Sequence, residues 1–232
     1  MLKGKGLLSP IQNAFLAAFA ELQDQARFYL TGGTALAEFY LGHRISFDLD
    51  FFTSEEGLIL PMSYQIEKSC PNHALQISVI RRFATFVEFV VASEEEQVRV
   101  DLALDSPFRF APPVLSKVGV LVNDAEDLKV DKLLVYYGRA EPRDAVDLYC
   151  ILKTEPLEPL LELAARKDPG FDLYWLAVAL SRAAEFPDEL ERWPVKMLVP
   201  LDPPEVKRTF RALSLSLMSR IAGGSDLEPR DV

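Results

Sequence analysis

Thr31 to Phe52 reads TGGTALAEFYLGHRISFDLDFF. It opens with Gly32-Gly33-Thr34, continues through a helix-length segment from Ala35 to Leu41, turns at Gly42 and ends in an apolar run carrying Asp48 and Asp50. Side chains alternate across a strand, so residues two apart project to one side and Asp48 and Asp50 present two carboxylates together. Like charges that close call for a cation between them. Mg²⁺ fits, because it takes oxygen ligands and is usually held by one or two carboxylates together with substrate phosphates; Mn²⁺ is an alternative with the same preference for oxygen. Glycine lets the backbone approach a ligand closely, and the N–H groups that open a helix attract phosphate. Loop, helix and strand together read as a site for a nucleoside triphosphate. Taken singly the parts are common: two spaced aspartates can lie on a solvated edge strand, and a glycine pair can be a simple turn. The apolar flanks Phe47, Leu49, Phe51 and Phe52 argue against a solvated strand.

Composition bounds the rest. The chain has 232 residues, 49% of them hydrophobic, enough for a substantial core in one large or two small domains. No window has the unbroken apolar length of a membrane span, and the start MLKGKGLLSP does not read as a signal peptide, so a cytoplasmic protein without a membrane partner is expected. Cys70 and Cys150 suggest no disulfide framework, and His43 and His73 lack metal-ligand spacing. A net charge of −10 argues against a whole-surface nucleic-acid binder. Any nucleic acid would meet a local basic patch: Arg81-Arg82, Arg139 to Arg143, or Lys207, Arg208 and Arg211.

Helical spacing with Ser9-Pro10 as cap and first turn predicts a helix over 9–26, followed by a strand at 28–30. A short helix is expected over 62–69, then three strands over 75–82, 85–92 and 97–104. In the third, Val98, Val100, Leu102 and Leu104 share one face, while Arg99 and Asp101 share the other. Asp101 is then either a third carboxylate of the site or a buried structural acid. Residues 106–123 read as irregular and proline-rich. Helices follow over 124–137, with Val130, Leu133, Leu134 and Tyr137 as the apolar side, and over 143–153, where Asp144 and Asp147 lie one turn apart. Residues 157–167, 172–185 and 203–221 read as further helices, Trp175 and Trp193 as core, and 223–232 as a frayed tail.

The order glycine pair, hydroxyl, helical gap, D-x-D resembles the DNA polymerase β-type nucleotidyltransferase superfamily. The wording GGTAL followed by RISFDLDFF is more narrowly similar to the AbiEii/AbiGii toxin family of nucleotidyltransferases. A second block, DKLLVYYGRAEPRDAVDLYCIL (Asp131 to Leu152), matches that family's later pattern of a Lys-Leu helix start, an Arg-Asp pair and a following Asp-Leu. The resemblance covers residues 28 to 152. It implies an α+β fold with a polymerase β-type core of small mixed sheet and helices over 1–155, and the helical spacing from Leu157 onward adds a helical region over 156–232.

The same resemblance implies roles. Asp48 and Asp50, with Asp101 on a later strand, would hold the metal. Gly32, Gly33, Thr34 and Arg44 would hold the nucleotide, although Arg44 can equally be a structural partner for an acid. Ser46 would meet the nucleotide or take up a phosphoryl group, unless it is only a strand-entry hydroxyl. Lys132 would act on the triphosphate, or else be a solvated helix lysine. Asp147, and after it Asp144, would orient Lys132 or activate the acceptor hydroxyl, or else pair with Arg139 or Arg143 on a helix surface. The implied activity is Mg²⁺-dependent transfer of a nucleotidyl group from a nucleoside triphosphate to a hydroxyl, with the tRNA 3′ end as acceptor and an antitoxin as partner. A protein acceptor, or a non-catalytic nucleotide-binding module of the same fold, would leave the same motifs.

Overall fold

Seven strands form a mixed sheet in the structure, a computed structural model that describes residues 1–224. The chain divides into two compact units, Met1–Leu128 and Lys129–Val232, the second described as far as Gly224.

The first unit begins with α1 (Pro10–Ala20). Ser9 caps it in a reciprocal arrangement with Gln12, with Pro10 in the first turn, as the sequence predicts. The helix stops at Ala20 rather than Ala26, because the polar run Glu21, Gln23, Asp24 and Gln25 interrupts the apolar period; a single tight turn, Gln25–Arg27, follows instead. Strand β1 (Tyr29–Thr31) leads directly into α2 (Gly32–Ala35), which widens over Leu36–Leu41. The Gly42 N–H closes on the Ala37 carbonyl at 2.9 Å, a five-residue step, and Gly42 adopts φ 70° to leave the helix. After β2 (Arg44–Ile45) come β3 (Leu49–Thr53), α3 (Ile59–Ser69), which starts three residues earlier than expected, and the strands β4 (Gln76–Arg82), β5 (Phe86–Ala92) and β6 (Gln97–Leu104), each within one residue of expectation. The segment read as irregular contains two short strands, β7 (Val114–Leu115) and β8 (Leu121–Val122). Two residues are too few to show a period.

The sheet order is β4-β5-β6-β3-β1-β8-β7. Strand β6 runs parallel to β3 and antiparallel to β5, so it lies between strands made before it. One sheet face is apolar: Leu49, Phe51, Val87, Phe89, Val91, Val98, Val100 and Leu102 are buried. The apolar sides of α1 and α3 share a continuous core with that face, in which Phe19 stacks on Phe51 with ring centroids 4.1 Å apart. Burying each such ring contributes about 1.5–3 kcal/mol. The opposite face of the sheet carries the polar residues.

The unit boundary falls within α4 (Ala125–Arg139). The second unit continues with α5 (Pro142–Leu152), α6 (Leu157–Lys167), α7 (Leu173–Ser181), β9 (Lys196–Met197) and α8 (Pro203–Gly224). Tyr136, rather than Tyr137, is the buried tyrosine of α4; its ring meets Phe210 edge-on at 5.1 Å and its hydroxyl donates to the Ala179 carbonyl at 3.2 Å. Trp193 is core, its indole N–H donating to Pro187 at 2.9 Å, but Trp175 is 59% exposed, contrary to expectation. Gly223 and Gly224 end α8, and the rest of the expected tail lies outside the described residues. Among the described residues no helix is long and apolar enough to cross a membrane.

Candidate active site

Register assembles the site. Thr31 lies opposite Asp50, Asp50 opposite Asp101, Asp101 opposite Glu88, and Glu88 opposite Arg81. Directly opposed residues share a face, so one polar row crosses β1, β3, β6, β5 and β4 on the side away from Val100 and Phe51. The alternation of β6 is the one read from sequence. Asp50 is a strand residue, whereas Asp48 stands immediately before β3 rather than within it.

The glycine pair is packed against this row. Gly32 has φ +71°, the left-handed region that glycine enters without penalty, and a methyl group there would collide with the Asp50 carboxylate. A methyl group on Gly33 would come within 2.5 Å of Arg44 Nη2 and 2.8 Å of Ser46 Oγ. Gly32 therefore faces Asp50, while Gly33 faces Arg44 and Ser46. The buried Thr34 hydroxyl donates to the Asp48 carbonyl, fastening the helix start to the residue that opens the acidic stretch. From α1, the Gln12 amide donates to the Ser46 carbonyl at 3.0 Å while its oxygen accepts the Ser9 N–H at 2.9 Å. Arg44 is buried, with Nη1 donating to the Ile45 carbonyl at 3.1 Å. Phe47, by contrast, is 63% exposed and shields nothing.

A second arginine sits among the carboxylates. Arg99 Nη2 lies 3.1 Å from Asp48 Oδ2, and Arg99 Nε lies 3.7 Å from Asp101 Oδ2. Glu88 is engaged by Arg81 at 2.6 Å. Burial pushes the Asp101 carboxyl up to about 6; Arg99 opposes this, and the neighbouring charges of Asp50, Glu88 and Asp48 add to it. As they stand, no three His, Cys, Asp or Glu side chains among the described residues enclose an ion. The donor set still suits a hard cation: the ligand atoms are carboxylate oxygens, a guanidinium already bridges two of them, and Asp101 Oδ1 is buried with no hydrogen-bond partner among the described residues.

In the second unit Lys132 Nζ lies 2.7 Å from Asp147 Oδ2, with the Asp147 side chain fully buried and that of Lys132 nearly so. Asp144, also buried, receives a two-pronged bond from Arg139, Nε at 2.6 Å and Nη2 at 2.8 Å. Lys132 is thus not a solvated helix lysine, and the two acids are not surface residues. The structure brings Gly32, Gly33, Thr34, Arg44, Ser46, Asp48, Asp50 and Asp101 together in the first unit, and Lys132 with Asp147 in the second.

Sequence reasoning missed Arg99 and Glu88 as neighbours of the acidic pair, since their nearness depends on register between strands. It also missed Asn123, which donates from Nδ2 to Thr31 Oγ1 at 3.1 Å and accepts from Arg109 at 2.6 Å. A lone asparagine after a two-residue strand carries no local signal.

Three solved structures resemble the fold. A proposed nucleotidyltransferase from Helicobacter pylori superposes with a TM-score of 0.60 at 17% identity, over 96% of this chain and 100% of its own. The H. pylori protein JHP933 gives 0.54 at 18% identity, over 92% and 91% of the two chains. MenT4, a nucleotidyltransferase toxin from Mycobacterium tuberculosis, gives 0.58 at 16%, over 90% and 82%. Such identities speak for the fold alone. No curated protein matches the chain in sequence. The family model described as nucleotidyl transferase AbiEii toxin, type IV TA system, matches residues 14–213, a span from α1 into α8 that takes in both the acidic row and the Lys132–Asp147 pair, and the chain belongs to that family.

Proposed function

We propose that this nucleotidyltransferase uses Mg²⁺ to transfer a nucleotidyl group from a nucleoside triphosphate to the 3′ end of tRNA, as the toxin of a pair whose antitoxin is a separate protein. The observation that carries the reading is the polar row, in which Asp50, packed against Gly32, lies side by side with Asp101. Asp48, Asp50 and Asp101 would hold the divalent ion. Bound there, the ion would neutralise triphosphate oxygens and lower the pKa of the attacking hydroxyl.

The chain's own groups do the rest. Gly32 and Gly33 would offer backbone N–H groups to phosphate while giving way to Asp50 on one side and to Arg44 and Ser46 on the other, and Arg44 would offer a planar fork to the phosphate oxygens. Thr34 keeps the Asp48 backbone in place, and Ser46 lies at the edge of the glycine pair. Lys132 supplies a point charge to phosphate, and Asp147, engaged with it at 2.7 Å, orients it rather than acting on the acceptor. We assign residues 1–155 as the functional core, because that span includes the pair; residues 156–224 are the helical remainder of the second unit.

The test is direct. Purified protein, Mg²⁺, each of four labelled nucleoside triphosphates and total tRNA should label tRNA from one or two preferred nucleotides. Periodate oxidation destroys the terminal vicinal hydroxyls, so oxidised tRNA should stay unlabelled. Label on oxidised tRNA would exclude the 3′ end, and label on a protein band would make the acceptor a protein.

A further inference from the structure

Arg99 is the one cation placed between Asp48 and Asp101 among the described residues, and its fit there is incomplete. Its Nη2 reaches Asp48 at 3.1 Å, but its Nε stays 3.7 Å from Asp101. Arg99 Nε and Asp101 Oδ1 are both buried with no hydrogen-bond partner among the described residues. Buried polar atoms are nearly always satisfied, so an orphan on each partner of one loose ion pair marks an arrangement that something else completes. Glu88 does not complete it, being held by Arg81 at 2.6 Å. The Arg99 side chain is 40% exposed, so its long stem has a way out to water.

We infer that the Arg99 guanidinium holds the divalent cation's place between Asp48 and Asp101 in the ion-free chain and must swing outward before the ion enters. This rests on the proposed metal role of those carboxylates. Both cations neutralise the same oxygens, so they exclude one another: the stabilisation that Arg99 provides exists only without the ion, and the ion's apparent affinity is lowered by the pairing it must break. Arg99 is a positioning residue in this scheme. It offsets the repulsion among the carboxylates and raises the metal concentration at which the site fills.

Mn²⁺ binding followed by electron paramagnetic resonance, together with melting curves at zero and saturating Mn²⁺, tests this in the wild type, Arg99→Gln, Arg99→Lys and Asp48→Asn. Arg99→Gln should bind Mn²⁺ roughly two- to fivefold tighter than wild type, the scale of a half-exposed ion pair. It should melt below wild type without metal, and saturating Mn²⁺ should close that gap. Arg99→Lys, which keeps the charge but cannot bridge two carboxylates, should also bind tighter than wild type, by less. If Asp48→Asn abolishes Mn²⁺ binding while both Arg99 variants bind as wild type does, the metal reading stands and the inference about Arg99 fails. A melting gap that Mn²⁺ leaves unchanged overturns it as well. No Mn²⁺ binding by wild type or Arg99→Gln would remove the metal reading and this inference with it.

Discussion

Replacing Asp48 and Asp50 by asparagine separates two electrostatic situations that their spacing makes look alike. Asp50 lies directly beside the Asp101 carboxylate in the row and its charge helps to hold the Asp101 proton on, whereas Asp48 is paired with Arg99 at 3.1 Å. Asp50→Asn should therefore melt at or above wild type and Asp48→Asn at or below it, while each lowers nucleotidyl transfer by about 100-fold or more. Scanning calorimetry and incorporation of labelled nucleotide check the two halves separately, and wild-type transfer in both variants would remove the carboxylates from the chemistry. At Gly32 the prediction is structural: with φ +71° and the Asp50 carboxylate in the way, Gly32→Ala should lose at least about 1–2 kcal/mol in urea unfolding. Cys70 is buried at the end of α3, and burial pushes its thiol up to about 11, so it stays protonated near neutrality and should be silent to a thiol reagent until the chain is denatured.

Between elements, the Lys132–Asp147 pair ties α4 to α5, and its burial decides what loss of either partner does. A surface pair would be worth under about 1 kcal/mol. With Asp147 wholly buried, Lys132→Ala or Asp147→Ala should each lose about 3–5 kcal/mol by stranding a charge, while the double change Lys132→Met with Asp147→Leu should lose much less. Urea unfolding of the three variants makes the comparison, and equal small losses would return the pair to the surface class. Elements were legible where a period was long enough to see. The alternation of 97–104 located β6 and assigned Asp101 to the polar face, and Ser9-Pro10 located the start of α1. Where the information is a relation between distant segments, local pattern is silent: nothing in residues 85–104 alone says that Asp101 lies beside Asp50 or that Arg99 meets Asp48. Residue type alone predicts Trp175 in the core, but hydrophobicity does not say which side of a helix is covered.

For the whole molecule, charge limits how an RNA can be held. With a net charge of −10 and only local basic clusters, tRNA should be bound through few phosphates, giving a slope of log affinity against log salt of about −2 to −3. Filter binding across a salt series measures it, and a slope near −8 would mean a broad basic surface that the composition does not suggest. The sheet order has a separate consequence, for synthesis. Strand β6 is translated after β3, β4 and β5 yet lies between β3 and β5. A nascent chain that has left the ribosome as far as Ala92 carries Gly32, Asp48, Asp50 and Glu88, but its acidic row is broken in the middle and β3 offers an open edge where β6 belongs. The row closes only when β6 slots in and brings Asp101 between Asp50 and Glu88. A chain that ends at Ala92 should therefore lack the closed row and expose the β3 edge, and limited proteolysis should cleave such a fragment faster than the full chain.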